Sequence, residues 1–240
     1  MNWTPRQTDR AELLDCNFGT LSQVRESLHD IRRINTFLGG ARVVANATFA
    51  ILKARNLKRA TILDIGTGAA DIPLRLRREA KKCGIELKII ALDLNARHLQ
   101  IALEDIEKEG ATRKISLLRA DAFALPLADT SVDVVIASLF THHFRAPQIV
   151  RLLNEFSRVS RSGWVVNDLV RHNLPLFFFR LTRPIFARSY LTRHDGEASI
   201  RRGYTIEEVQ KILLENDLRD VKLRAHFPFR MSLVCEKSTP

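Results

Sequence analysis

The sequence predicts an α/β domain: a doubly wound, seven-stranded sheet, mostly parallel, ending in an antiparallel C-terminal hairpin. A helical cap precedes it and a lid insertion interrupts it late in the chain. Three observations predict this. From Thr61 onward, short apolar runs alternate with helical periods, the pattern of parallel strands covered on both faces. The first run, Thr61–Ile65, passes straight into a turn holding Gly66 and Gly68 and then into a helix. The length of 240 residues suits one such domain with appendages.

Residues 1–56 read as the helical cap. Within Leu21–Phe37, Leu21, Val24, Leu28, Ile31 and Ile34 recur every three or four positions. Gly39-Gly40 breaks that helix, and Ala41–Arg55 forms a second. Residues 57–240 form the sheet domain. The strand Thr61–Ile65 is followed by a helix over Ile72–Lys82. The strand Leu87–Leu92 ends at Asp93 and is followed by a helix over Ala96–Glu109. Ile115–Arg119 ends at Asp121, and Val132–Ser138 is the fourth strand. The helix Pro147–Arg161 carries proline in its first turn, where no amide partner is needed. Trp164–Val166 ends at Asn167-Asp168, and the insertion, residues 169–203, follows. Thr205 and Glu208 form a capping box opening the helix Thr205–Asn216. Val221–Ala225 and Met231–Cys235, joined through Phe227-Pro228-Phe229, are the terminal hairpin.

The chain is 45% apolar with a mean hydropathy of -0.10, ordinary values for a globular domain. Its net charge of +11 points to nucleic acid, acidic lipid headgroups or an anionic substrate, or to a solvated arginine-rich surface. Cys16, Cys83 and Cys235 have no C-x-x-C spacing, which argues against a zinc site and against a disulfide scaffold, leaves no metal site expected, and suits a reducing cytoplasmic compartment. The opening Met1-Asn2-Trp3-Thr4-Pro5 has no apolar signal core. No run approaches the roughly 18–20 apolar residues of a membrane span.

The polar residues at the strand tips carry the chemistry. Ligands of open parallel sheets bind outside the carboxyl ends of the strands. Gly66 and Gly68 let a ligand approach bare backbone, and the helix start after them offers free amides. A dinucleotide fingerprint needs a third glycine where Asp71 stands, and Asp64 precedes the turn. Carboxylates there repel a pyrophosphate and favour a cationic, amino-acid-bearing cofactor. Asp93, 27 positions after Gly66, is placed to accept ribose hydroxyls. The competing role, capping the next helix, is one that Asn95 can take.

Asp64-Ile65-Gly66-Thr67-Gly68 resembles motif I of class I S-adenosyl-L-methionine (SAM) methyltransferases, which have a Rossmann-like fold. The resemblance extends over about residues 56–240. It implies SAM as cofactor, with Asp64 near the amino-acid end and Asp121 facing the adenine amino group between Leu94 and Ala122. Methyl transfer from a sulfonium is an in-line displacement that mainly needs alignment. A hydroxyl nucleophile also needs a base, and Ser138-Leu139-Phe140-Thr141-His142-His143-Phe144 supplies two histidines. His143 is the first candidate and His142 the second; either one instead serves the loop backbone.

Asn167-Asp168-Leu169-Val170-Arg171-His172, Ser138-Leu139 with His142-His143-Phe144, and Leu191-Thr192-Arg193-His194-Asp195-Gly196 resemble a bacterial small-molecule subgroup of these enzymes. So do Arg32-Arg33-Ile34-Asn35 and Leu38-Gly39-Gly40 upstream. The resemblance adds Ser138 and Arg33 to the cofactor site and Asn167, Arg171 and His172 to the acceptor site. Polyketide-like and phenolic acceptors, free or carrier-bound, follow from it. The insertion run from Leu174 to Arg188 is apolar, aromatic and arginine-studded. It reads as a lid whose Phe178 faces the acceptor, with a core helix or a membrane-surface helix as the competing readings. From Phe140 to Tyr204 there are 11 arginines and 4 acids, net +7.

Nucleic-acid methylation is disfavoured. Ser-Leu-Phe-Thr stands where amino-methylating DNA enzymes resemble one another in [D/N]-P-P-[Y/F], no cysteine lies near strands four or five, and no RNA-binding module is visible. A dehydrogenase is disfavoured by Asp71. A non-catalytic SAM-binding protein remains a third class. The sequence therefore points first to O-methylation of a phenol or enol. Carbon methylation comes second, since the pattern also resembles ubiquinone/menaquinone-type C-methyltransferases.

Overall fold

In the computed structural model the apolar runs pair into one seven-stranded sheet of order β3-β2-β1-β4-β5-β7-β6. The structure describes residues 4–16 and 18–237; the N-terminal Met1-Asn2-Trp3 of the signal-sequence reading lies outside them. The strands are β1 (Arg59–Ile65), β2 (Glu86–Asp93), β3 (Ile115–Arg119), β4 (Val132–Ser138), β5 (Ser160–Leu169), β6 (Val221–His226) and β7 (Arg230–Glu236). β1 to β5 run parallel to one another. β7 runs antiparallel between β5 and β6, so the terminal hairpin is paired to the sheet through its second strand. The order reverses between β1 and β4, which opens a crevice at their carboxyl ends.

The helices are α1 (Leu21–Phe37), α2 (Gly40–Ala54), α3 (Asp71–Lys82), α4 (Ala96–Lys108), α5 (Ala146–Val159), α6 (Asn173–Phe186), α7 (Tyr190–Arg202) and α8 (Ile206–Glu215). Strand pleating sends alternate side chains to opposite faces. Ile62, Ile89, Val134 and Val165 pack under α2, α3 and α4. Leu63, Val135, Trp164 and Val166 pack under α5 and α8. Thr20 caps α1 in a capping box with Gln23, and Thr205 caps α8 with Glu208. Asn95 caps α4 by accepting from the Arg97 amide at 3.0 Å, which releases Asp93 from that duty.

Two expectations change. The helical cap is not a separate layer: Ala41, Val44, Ala45, Ile51 and Leu52 of α2 belong to the core on one sheet face, because α2 is apolar on the side that meets β4, β5 and β7. Residues 4–16 carry no helix; they run as an irregular strap across the carboxyl edge of the sheet. The strap is pinned by Asp195 of α7, whose carboxylate accepts from the Leu13 and Leu14 amides at 2.9 and 3.0 Å. Among the described residues no single helix is long and apolar enough to cross a membrane.

Candidate functional site

A cavity of about 1130 Å³ lies at the carboxyl ends of β1, β2, β3 and β4. Pockets for one drug-sized ligand run to about 300–1,000 Å³, so this one has room for a nucleoside cofactor and an acceptor together. One half is built by the glycine turn. Gly66 and Gly68 adopt φ of 67° and 54°, angles that side chains resist. A Cβ on Gly66 would lie 2.5 Å from the Phe140 ring, so the turn and the segment after β4 close on each other only with glycine there. Ala70 and Leu139 also hold positive φ, at 55° and 57°. Leu139 is kept in this costly conformation by donating its amide to Asn167 O at 2.9 Å.

Acid residues ring this half. Asp64 ends β1 with Oδ2 buried and without a hydrogen-bond partner. Burial, with Asp71 and Asp93 close by, pushes its carboxyl well above the ordinary range. Asp71 opens α3 and is also raised, by burial, against the pull of the Arg32 guanidinium and an Asn35 hydrogen bond. Asp93 ends β2. Its Oδ2 accepts from the Gly68 amide at 3.0 Å and its Oδ1 from the Asn95 amide at 2.9 Å. Asp121 accepts from the Phe123 amide at 2.9 Å in the turn after β3, beside buried Ala122 and exposed Leu94. Asp64, Gly66, Gly68, Asp71, Asp93, Leu94, Asp121, Ala122 and Ser138 all line the cavity. A clustered set of desolvated carboxylates costs energy unless a cation answers it. A sulfonium carrying an ammonium group and a ribose is such a partner, so the donor set fits S-adenosylmethionine.

The other half is built from segments far apart in sequence. Thr141–His143 forms a single 3-10 turn after β4. It is anchored on Asp168 at the tip of β5, which accepts from Thr141 Oγ1 at 2.6 Å, from the His142 amide at 2.9 Å and from His142 Nδ1 at 2.7 Å. The opposite ring nitrogen, His142 Nε2, faces Glu12 Oε1 of the strap at 3.4 Å. Burial alone would lower the His142 imidazole, but Asp168 and Glu12 outweigh it and push it up to about 10. Burial would likewise raise Asp168 and Glu12, yet His142 holds both below their usual values. His142 is therefore a buried imidazolium between two carboxylates. His143 Nδ1 lies 2.8 Å from Asp15. Arg202 donates from Nε to the His142 carbonyl and from Nη2 to the His143 carbonyl, which fixes the turn from α7.

The structure places several expected residues elsewhere. Arg33 pairs with Asp30 and does not line the cavity; one position earlier on α1, Arg32 donates to Ala69 O at 3.0 Å and faces Asp71. Helical spacing turns the two arginines to different sides. Asn167 is fully buried behind the site, donating from Nδ2 to Ser138 Oγ at 3.0 Å. Arg171 is buried too, tying Gly203 O and Pro5 O to the end of β5 and pairing with Glu208. His172 caps α6 and stacks on Phe229 at 5.5 Å. Phe178 is 51% exposed and meets Phe177 edge-on. None of these four lines the cavity. The insertion contributes through α7, with Ser199 and Arg202, while α6 turns Phe177, Phe178 and Leu181 outward. Most arginines of the basic stretch are used in ion pairs or backbone contacts, such as Arg180–Glu197, Arg158–Glu155 and Arg161–Asp133.

Glu12, Asp15, Asp168 and Arg202 were absent from the sequence-derived site. Asp168 had a signal, its place beside Asn167 at a strand tip. Glu12 and Asp15 had none, since the strap has no period to read. Cys16, Cys83 and Cys235 are free thiols.

Residues 62–163 match a family model described as a methyltransferase domain. A ubiquinone/menaquinone biosynthesis C-methyltransferase UbiE from Bartonella tribocorum is 23% identical over 227 residues, covering 92% of this chain and 83% of that protein. A demethylmenaquinone methyltransferase from Alkalihalophilus pseudofirmus is 30% identical over 141 residues, covering 55% of this chain and 57% of that one. Among solved structures, a SAM-dependent methyltransferase from Aquifex aeolicus superposes with a TM-score of 0.54 at 21% identity, covering 77% of this chain and 86% of that one. Magnesium protoporphyrin IX methyltransferase from Synechocystis, crystallised with S-adenosylhomocysteine, superposes at 0.55 with 14% identity, covering 83% and 84%. These superpositions establish the shared fold.

Proposed function

We propose that this class I S-adenosyl-L-methionine-dependent methyltransferase methylates a ring carbon of a small, hydrophobic, quinol-like phenol. The cofactor supplies an electrophilic methyl group on a sulfonium. The chain aligns the acceptor with it and draws off the phenolic proton, which makes the ring carbons beside the oxygen nucleophilic. After the carbon takes the methyl and the sulfur keeps the bonding pair, that carbon loses its hydrogen, the oxygen regains a proton and the ring regains aromaticity, one proton being released overall. The observation that carries this reading is the meeting of Glu12, His142 and His143 in the same cavity as the acidic cofactor half. His142 is already protonated by its two carboxylates, so it serves as a fixed positive charge beside a developing phenolate. His143, oriented through Nδ1 by Asp15, is the base. Phe140, Phe144 and Leu28 give the acceptor its apolar walls.

O-methylation of the same phenol needs the same proton removed. The choice of carbon rests on the relatives, which are named C-methyltransferases or demethylmenaquinone methyltransferases. The outward face of α6, with Phe177 60% and Leu181 64% exposed, supports contact with a membrane surface in which such an acceptor dissolves. The test is incubation with methyl-labelled SAM and a short-chain naphthoquinol, followed by carbon NMR of the product. A new aryl C-methyl signal supports the proposal. A methoxy signal moves the assignment to oxygen, and no transfer to any quinol or phenol refutes it.

A further inference from the structure

The Glu12–His142–His143 cluster has a geometry that the methyltransferase reading alone does not require. One ring nitrogen of each histidine and one Glu12 carboxylate oxygen lie within 4.8 Å of one another. A tetrahedral zinc ion, with bonds of about 2.0–2.1 Å, sets its ligand atoms roughly 3.4 Å apart, and Glu12 Oε1 is already 3.4 Å from His142 Nε2. Glu12 and His142 are 6% and 5% exposed, while His143 retains 17% side-chain exposure. Each histidine is backed by its own carboxylate: Asp168 at 2.7 Å from His142 Nδ1 and Asp15 at 2.8 Å from His143 Nδ1. A carboxylate on the far nitrogen of a ligating histidine is what orients the ring and strengthens it as a donor. Ser199 Oγ donates to Glu12 Oε1 at 2.8 Å, which holds the third arm.

Charge points the same way. Three carboxylates, Glu12, Asp15 and Asp168, face two imidazoles with Arg202 nearby. We propose that Glu12, His142 and His143 form a two-histidine, one-carboxylate site for a divalent transition-metal ion of the zinc class, the ion displacing the proton that His142 holds in the bare pocket and releasing it to solvent, with its remaining coordination position open to the cavity. Such three-ligand sets leave room for a substrate oxygen in catalytic centres. Resting on the phenolic-acceptor reading, the ion would hold the acceptor's phenolate oxygen in that open position, the phenolic proton leaving to solvent water because the ion makes the bound hydroxyl more acidic. His143 then serves as a ligand, and the ion stabilises the oxyanion that the bare pocket would leave to His142. Nothing in the local sequence marks this set, because Glu12 comes from the strap and the histidines from the turn after β4.

The test uses the full chain, stripped with EDTA and titrated calorimetrically with zinc chloride, with cobalt(II) as a spectroscopic probe. One equivalent per chain is expected, with cobalt bands typical of nitrogen and oxygen ligation. Glu12→Gln and His143→Ala should abolish the tight equivalent, and Asp15→Asn should weaken it about 10–100-fold. Cys16→Ser, at an exposed thiol outside the ligand set, should leave it unchanged. S-adenosylhomocysteine binding and the melting curve report that each variant is folded. No equivalent in the wild type, or an equivalent that survives in both Glu12→Gln and His143→Ala, overturns the site. Quinol methylation that runs equally fast in stripped and loaded protein overturns the ion's role in catalysis while leaving the phenolic assignment standing. Stoichiometric, variant-sensitive zinc binding without turnover of any phenol sustains the site and sinks the acceptor assignment.

Discussion

Asp64→Asn should stabilise the free protein and weaken cofactor binding, two effects of opposite sign from one atom exchange. Asp64 is buried beside Asp71 and Asp93, and exchanging its carboxylate for a neutral amide removes a desolvation penalty of about 1–3 kcal/mol. For a chain of 240 residues each kcal/mol moves the midpoint roughly 2–4 °C, so the unliganded variant should melt roughly 2–12 °C higher. Binding moves the other way. A charge-assisted hydrogen bond to the cofactor's ammonium group is worth about 1.5–3 kcal/mol, so affinity for S-adenosylhomocysteine should fall about 10–150-fold. The pH dependence follows from the raised carboxyl. An acid whose folded value lies above its unfolded one favours the folded state at low pH, and that contribution is lost as pH rises through the folded value. A cation brings the carboxyl back down, so binding expels a proton, and affinity should fall as pH drops through the range where the free protein holds that proton. Calorimetry in two buffers of different ionisation enthalpy measures the proton release, and scanning calorimetry measures the midpoint. A lower midpoint with unchanged affinity in Asp64→Asn would refute the reasoning, since it would make Asp64 a structural anchor.

His143→Ala should reduce methyl transfer about 10²–10⁴-fold, the usual worth of a general base, with S-adenosylhomocysteine affinity nearly unchanged; steady-state kinetics beside calorimetry checks both. Asp93→Ala should do the reverse, weakening S-adenosylhomocysteine at least about tenfold, and equal affinity there would remove Asp93 from the ribose. Asp168→Ala strips a buried carboxylate from Thr141, His142 and the Leu169 amide. It should cost about 3–5 kcal/mol, read as a denaturation midpoint, with loss of turnover as the turn comes free. Phe177→Ser with Phe178→Ser should leave cofactor binding intact and reduce sedimentation with anionic vesicles; unchanged sedimentation would detach α6 from any membrane.

The sheet and its cofactor half were legible in the sequence because their determinants are local. A strand of apolar residues, two glycines and an acid within Thr61–Asp71 specify a strand, a turn and a helix start through neighbouring dihedral angles. Strand tips then carry Asp93, Asp121 and Ser138 to one edge whatever the helices do. Leu21–Phe37 was legible in the same way, through its period.

The acceptor half was not, and the reason is physical. Glu12 and Asp15 sit in a strap without regular structure, held by α7 and by histidines about 130 residues later. Arg171 and His172 looked functional because they fall in the run that resembles the small-molecule subgroup, yet the chain uses them to satisfy carbonyls and to cap α6. What the sequence alone determined is an acidic, glycine-lined edge at the strand tips, written in residues a few positions apart. Tertiary structure alone decided which carboxylates face which histidines, because that pairing is a balance of burial and charge between segments that share no local signal.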